Sequence, residues 1–227
     1  MTTQSTTNQA TNNTTELVFI LDKSGSMGGM ERDTIGGFNS MIEKQKEVEG
    51  KVYVSTVLFA NESQVLHDRK DLSEIEPLTV KDYQVGGCTA LLDAVGGAIK
   101  HVSNVHKYIR PEDVPARTMF VITTDGMENM SRQYSHRQIK EMIKEKEEKH
   151  GWEFIFVAAN IDAGEVAESI GISRGRAINY DVGEETEEMY AELSERICCC
   201  RMSSVPMEED FAKKFEAGIK ERKNRQK

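Results

Sequence analysis

Three short segments of the chain place oxygen-bearing side chains directly beside an apolar run or a glycine turn. DKSGS at 22–26 follows the apolar run 17–21, GGCT occupies 86–89, and TDG occupies 124–126 after a second apolar run. Together they offer two carboxylates and three or more hydroxyls, and oxygen ligands of this kind suit a hard divalent cation such as Mg²⁺. The chemistry that these residue types favour is therefore cation binding.

The elements around these segments predict how they meet. The expected strands cover 17–21, 51–59, 65–69, 117–124, 152–159 and 177–180. The expected helices cover 35–45, 90–108, 135–149, 162–170 and 184–202. This alternation predicts an α/β fold with a doubly wound, mostly parallel sheet and helices on both faces. Ligands of such sheets bind at the carboxyl ends of the strands, so the three segments are expected to converge there.

Hydroxyl groups are neutral ligands, and this affects what the predicted site can do. A cation held mainly by hydroxyls keeps positive charge that its ligands do not neutralise. It then attracts a further anionic ligand from outside the chain. The glycines in the first loop let its backbone bend tightly enough for alternate side chains to point inward together.

The motifs DKSGSM, GGCTAL and TTDG, in this order and on these elements, resemble the von Willebrand factor A (vWA) domain family, over roughly residues 16–200. The resemblance implies a Rossmann-like domain with a metal-ion-dependent adhesion site (MIDAS). It assigns the metal ligands by motif position: Asp22, Ser24, Ser26, Thr89 and Asp125. It also implies Mg²⁺ as the cation, with Mn²⁺ and Ca²⁺ as alternatives, and a protein partner that offers an Asp or Glu carboxylate. The stand-alone bacterial members are the most similar in form.

An enzyme is the rival class. Asp22 after a strand also suits a haloacid-dehalogenase-type phosphohydrolase, but that chemistry needs a second Asp two residues later, where this chain has Ser24. The glycine loops lack the lysine of a nucleotide-binding P-loop, and the serines have no histidine close in sequence. We therefore assign no catalytic residue and expect a binding module, not an enzyme. A structural domain with a vestigial site is the third alternative.

Composition excludes several other classes. The chain has 227 residues and a net charge of −9, which argues against binding to a nucleic-acid backbone. It has no apolar run long enough to span a membrane and no secretory signal, so no membrane association is expected. Three of its four cysteines are consecutive, which favours a reducing compartment and a cytoplasmic location. Oligomeric state and the identity of the partner stay open.

The chain divides into three expected parts. Residues 1–15 are uncharged and rich in Thr, Asn and Gln, which predicts a disordered tail. The vWA-like domain is expected at 16–204, followed by a basic helix or tail at 205–227. The basic charge of this last part opposes an acidic stretch at 184–195, which favours two solvated faces or a local salt-bridged contact over a partner-binding tail.

A few further residues carry open interpretations. Met27 and Met30 flank the proposed site and are either adaptable contact residues at its rim or core anchors. Cys88 is interpreted as a small residue tolerated in a turn, with a redox-sensitive thiol beside the metal as the alternative. The cluster Cys198–Cys200 is interpreted as partly buried small hydrophobes. Asp93 either supports the site by a hydrogen bond to the loop or is a surface helix carboxylate. Glu128 and Asn129 either support the site by capping or lining its rim or are ordinary loop polarity. The histidines show no ligand spacing, and His101 and His106 are expected at the surface.

Overall fold

In the computed structural model, which describes residues 13–181, 186–203 and 205–225, a single six-stranded sheet forms the centre of the protein. Its strands are β1 (Thr15–Asp22), β2 (Val52–Phe59), β3 (Ser63–Asp71), β4 (Arg117–Thr124), β5 (Glu153–Ala159) and β6 (Ala177–Tyr180). The helices are α1 (Glu31–Lys46), α2 (Leu91–Tyr108), α3 (His136–His150), α4 (Ala163–Ile170), α5 (Thr186–Met202) and α6 (Phe211–Arg225).

The strand order is β3-β2-β1-β4-β5-β6, and every neighbouring pair is parallel except β2 with β3. The predicted doubly wound α/β architecture is therefore confirmed, and its one antiparallel strand lies at an edge. β1 and β4 lie side by side in the middle of the sheet. The chain order changes direction between these two strands, so their carboxyl ends form the crevice in which such folds bind ligands.

Two apolar layers cover the sheet. On one face, Leu17, Phe19 and Leu21 of β1 pack with residues of α1, α5 and α6. On the other face, Val18 and Ile20 pack with residues of α2, α3 and α4. The five apolar residues of β1 are completely buried, because a central strand of a parallel sheet is covered on both sides. This explains the continuous apolar run in the sequence.

The ends of the predicted parts differ slightly from the structure. β1 begins at Thr15, one residue before the expected domain boundary, and Thr15 is buried and donates its N–H to the carbonyl of Lys51 over 2.9 Å. Residues 13 and 14 of the expected tail precede this strand without regular secondary structure, and residues 1–12 lie outside the described residues. So do residues 184 and 185, with which the acidic helix was expected to start.

The basic segment forms helix α6, which packs against α5. Phe211 and Phe215 are buried between α6 and the core, and Arg222 pairs with Glu192 over 2.8 Å. The predicted contact between the acidic and basic stretches is thus present in the structure. Glu192 is the centre of this contact, because it is buried and also accepts from Arg196 at 2.7 Å. Within the described residues, no helix combines the length and the apolar character that crossing a bilayer requires.

All four cysteines are free. Cys198 and Cys200 are half-buried beside α1 and the sheet, as interpreted from the sequence, while Cys88 and Cys199 are exposed. Burial raises the pKa of the Cys200 thiol to about 11, so this thiol is a packing group and not a nucleophile at neutral pH. The reducing, cytoplasmic setting inferred from these cysteines stays a prediction.

Candidate metal centre

The sheet brings the three oxygen-rich segments to one edge. β1 and β4 pair in parallel register with Leu21 opposite Thr123, so the residues that follow each strand emerge side by side. The glycine loop is held against the first loop by two backbone hydrogen bonds. The N–H of Gly25 donates to the carbonyl of Gly87, and the N–H of Gly86 donates to the carbonyl of Lys23, both at 2.9 Å. The predicted convergence is therefore present.

Four of the five predicted ligand residues, all except Thr89, are connected by short polar contacts. The hydroxyl oxygens of Ser24 and Ser26 are 3.0 Å apart, and Ser26 Oγ donates to Asp125 Oδ1 at 2.6 Å. Asp22 Oδ1 accepts the backbone N–H of Ser24 at 2.7 Å. The first and third segments thus form one continuous network around the strand ends.

Thr124 is a member of this network that the ligand assignment did not include. Its Oγ1 donates to Asp22 Oδ2 at 2.6 Å and accepts the N–H of Gly126 at 3.1 Å. Both oxygens of Asp22 therefore accept a hydrogen bond, and the carboxylate is fixed in orientation. The tyrosine hydroxyl of Tyr83 donates to the backbone carbonyl of the same aspartate, which anchors the end of β1 from the other side.

Gly126 marks the point on which the hydroxyl groups converge. A Cβ atom built on Gly126 would lie 2.9 Å from both Ser26 Oγ and Thr89 Oγ1, and 3.7 Å from Ser24 Oγ. Three hydroxyl oxygens from two separate loops thus surround one small volume that a methyl group would fill. These hydroxyl oxygens, together with the nearby carboxylates of Asp22 and Asp125, fit the ligand preferences of Mg²⁺, Mn²⁺ and Ca²⁺.

Burial sets the electrostatics of this cradle. Asp22, Ser24, Thr89 and Asp125 are buried, whereas Ser26 is exposed and opens the site to solvent. Desolvation raises the pKa of Asp22 and of Asp125, although hydrogen bonds from neighbouring groups oppose the rise. Two partly desolvated carboxylates beside neutral hydroxyls favour a cation, because positive charge at the site stabilises both ionised forms.

The loop that follows Asp125 is fixed to the start of α2. Glu128 accepts the backbone N–H of Leu92 at 2.9 Å and that of Ser131 at 2.7 Å. Asn129 Oδ1 accepts the N–H of Thr89 at 2.9 Å. These two residues satisfy N–H groups at the helix N-terminus and hold Thr89 in place, so the supporting role considered for them is confirmed.

Asp93 supports the same loop from the helix side. Its carboxylate accepts the backbone N–H groups of Arg132, Gln133 and Tyr134 at 2.9–3.0 Å. Of the two interpretations left open for Asp93, the structure confirms the supporting one. The loop from Gly126 to Tyr134 is therefore positioned by side-chain carboxylates although it has no regular secondary structure.

Asn61 holds the glycine loop in the same way. Its Oδ1 accepts the backbone N–H of Cys88 at 2.6 Å. Gly87 has φ +86°, and a Cβ there would lie 2.9 Å from Asn61 Oδ1. The positive φ and the close approach both require glycine at 87. Cys88 itself is exposed, which agrees with a small residue tolerated in this turn.

The methionines of the first loop are core residues. Met27 and Met30 are 2% and 5% exposed and belong to the apolar layer under α1. Of the two interpretations left open for these methionines, the structure confirms core anchoring over contacts at the rim of the site. Met127, in the loop after Asp125, is 68% exposed and supplies an apolar side chain to the rim instead.

Comparison with solved structures identifies the fold. The chain is similar to the vWA domain of the type V pili tip protein Mfa5 from Porphyromonas gingivalis, with 10% identity and a TM-score of 0.60 over 85% of this chain and 98% of that one. It is similar to the ArnB paralog VWA2 from Sulfolobus acidocaldarius, with 17% identity and a TM-score of 0.53 over 82% and 45%. These matches show that the chain has the vWA fold.

A third similar structure contains a metal. Proximal thread matrix protein 1 from the mussel byssus, with a zinc-occupied MIDAS motif, matches with 14% identity and a TM-score of 0.55 over 81% of this chain and 46% of that one. The chain spans less than half the length of this protein and of VWA2. Neither a protein-family model nor a curated protein matches the sequence.

Proposed function

We propose that this chain is a metal-dependent protein-binding module. Asp22, Ser24, Ser26, Thr89 and Asp125 hold one divalent cation, which coordinates an acidic residue of a partner protein. The observation that carries the proposal is the hydroxyl cradle, with two hydroxyl oxygens 2.9 Å from the Cβ position of Gly126. The zinc-occupied MIDAS motif of the mussel protein supports a cation site on this fold.

The donor set explains why the partner should be acidic. Mg²⁺ prefers six oxygen ligands and keeps exchangeable waters, so a carboxylate of the partner can complete the ligand set. The chain's net charge of −9 opposes an acidic partner at long range. Salt screens this repulsion beyond about 8–10 Å, whereas coordination acts at contact. One carboxylate at the metal is therefore expected to dominate the affinity.

Calorimetry tests the metal site directly. Titration with Mg²⁺, Mn²⁺ and Ca²⁺ should give one site, which Asp22→Ala removes and Ser26→Ala weakens. Ser26 is exposed, so its variant keeps the fold even if the buried Asp22 variant does not. Asp113→Ala is the control, because Asp113 is an exposed aspartate at the opposite edge of the sheet, before β4. Equal binding by wild type and Ser26→Ala would contradict the proposed ligand set.

The partner contact needs a separate test. Thr89→Ala should weaken binding of a purified partner more than it lowers the stability of the fold, because the Thr89 hydroxyl faces the cradle and not the apolar core. Affinity should be measured with Mg²⁺ and with EDTA for both chains. Binding that neither chelation nor the mutation changes would place the interface elsewhere on the domain.

We also propose that the chain has no hydrolase activity. A phosphohydrolase of the haloacid-dehalogenase type needs an acid two residues after the nucleophilic aspartate, and that position is Ser24, whose hydroxyl contacts Ser26. Phosphatase and nucleotidase assays with Mg²⁺ should stay at background. Turnover that disappears in Asp22→Asn would overturn this and favour the enzyme alternative.

A further inference from the structure

A groove lies beside the metal centre, between α2 and the antiparallel pair β2–β3. Its volume is about 520 Å³, within the range of ligand sites in proteins. Small and β-branched apolar residues from both walls line it: Val18, Val57, Val65, Ala90, Ala94 and Ala98. The residues that line the groove on α2 include Gly97, and a Cβ atom added there would have no atom within 4 Å. The space above the helix is therefore open.

The groove is elongated. Its α2 side runs from Ala90 to Val102, twelve residues further along the helix. At 1.5 Å per residue this is about 18 Å. An extended peptide advances about 3.3 Å per residue, so the groove takes five or six extended residues. This length favours a segment of a protein over a compact small molecule.

The groove is lined by three carboxylates, Glu62, Asp68 and Asp93, and by no lysine or arginine among the described residues. Glu62 at its rim is exposed, and within the described residues its carboxylate has no hydrogen-bond or ion-pair partner. Asp68 also lines the groove, and its carboxylate lies 2.7 Å from His101 Nε2, which joins the two walls. A segment with apolar side chains and at least one lysine or arginine complements this surface.

The groove and the metal centre share structural elements. Ala90, at one end of the groove, directly follows Thr89. Asn61 lines the same end, and its side chain holds the N–H of Cys88. Asp93 lines the groove and also holds the loop that follows Asp125. One end of the groove therefore adjoins the loops that form the metal centre.

We propose that this groove binds an apolar, basic segment of the same partner that binds at the metal. This inference rests on the function proposed above and adds the chemistry of the partner. The recognised segment is an extended stretch of five or six residues that combines aliphatic side chains with a lysine or arginine, and it lies next to the metal-binding carboxylate. The pairing of one acidic residue with a basic, apolar neighbouring stretch makes the site selective among acidic partners.

The test uses random 12-residue peptides displayed on phage, selected against the intact chain in Mg²⁺. Enriched sequences should combine an acidic residue with a basic, aliphatic stretch, and a synthetic copy should bind in calorimetry. Gly97→Leu places a side chain in the groove and should lower the affinity for this peptide at least tenfold. Gly36→Leu is the matched control, because Gly36 is also an exposed helical glycine with open space at its Cβ, on α1 across the sheet. The affinity of the Gly36→Leu variant for the peptide should stay within twofold of wild type. Glu62→Gln should weaken the binding of basic peptides about threefold or more.

Each result separates the groove from the metal site. If peptide binding is lost in Ser26→Ala or in EDTA but not in Gly97→Leu, the groove is not part of the binding site. The proposed metal-dependent function would still hold. Peptides that lose binding in Gly97→Leu but are indifferent to EDTA would overturn the link between the two sites. Failure to enrich any peptide, or enrichment of sequences without basic residues, would overturn the proposed partner chemistry.

Discussion

Replacing Gly126 with alanine should weaken metal binding strongly without unfolding the protein. The added methyl group would lie 2.9 Å from Ser26 Oγ and from Thr89 Oγ1, whereas ordinary contacts of a Cβ begin near 3.4 Å. The hydroxyls must therefore move by about 0.5 Å, or the methyl must occupy the cradle itself. Metal–ligand distances tolerate deviations of about 0.2 Å, so the displaced hydroxyls no longer fit the same ion.

The expected loss of Mg²⁺ affinity is at least tenfold, or about 1.4 kcal/mol of binding free energy. The fold should tolerate the change, because the φ angle of Gly126 does not lie in the left-handed region. A substitution of glycine by alanine at a compatible position stabilises a protein by about 0.4–1 kcal/mol, because it reduces the conformational entropy of the unfolded chain. This gain offsets part of the cost of moving the two hydroxyls, so thermal unfolding should change little.

Calorimetric titration with Mg²⁺ measures the effect, and Gly86→Ala provides the control. Gly86 lies in the loop that leads to Thr89, has no positive φ, and has no atom within 4 Å of its Cβ position. Its alanine variant should bind the metal like wild type. Equal Mg²⁺ affinity in Gly126→Ala and Gly86→Ala, with both folded, would refute the interpretation of the cradle as the metal site.

Three further predictions concern groups away from the cradle. Glu16→Ala should lower the free energy of unfolding in urea by about 3–5 kcal/mol, because it removes the buried carboxylate that contacts Arg69 and His106. A loss below about 1 kcal/mol would contradict this expectation. Burial lowers the pKa of His67 in the folded protein below its unfolded value near 6.5. The contribution of neutral His67 to the stability of the fold is therefore complete above pH 6.5 and is lost as the pH falls. His67→Gln should flatten the decrease in Tm between about pH 7 and about pH 5. Iodoacetamide at pH 8 should modify Cys88 well before Cys200 in peptide mapping by mass spectrometry, because Cys88 is exposed and the Cys200 pKa is raised to about 11.

The regular elements were predictable because each has a local signature. The apolar run at 17–21 can satisfy both of its faces only in the middle of a covered sheet, and it is the most buried strand of the structure. Ser135 and Gln138 form a capping box at the start of α3, and Gly151, with φ +63°, ends it. These signals lie within a few residues of the boundaries they set, so one sequence suffices to find them.

Burial of individual side chains was less predictable. His106 was expected at the surface, yet its Nε2 lies 2.7 Å from the completely buried Glu16, and its side chain is 11% exposed. Met27 and Met30 follow a polar loop in the sequence but turn back into the core. In each case the environment is set by an element 50 or more residues away, or by how the loop folds back, and a local pattern carries no such information.

The residues that support the loops of the site were also difficult to predict from the sequence. The carboxylates and amides that fix the three loops act on backbone N–H groups 27–41 residues away in sequence, as Asn61 does on Cys88 and Asp93 on Tyr134. Any polar residue can accept an N–H, so neither the type nor the spacing of these residues identifies them. The ligand residues have a compact motif because they must present particular oxygen atoms, whereas their supports need only reach a backbone. Substitution of Asn61 or Asp93 should therefore weaken metal binding by loosening the loops, although neither residue faces the cradle.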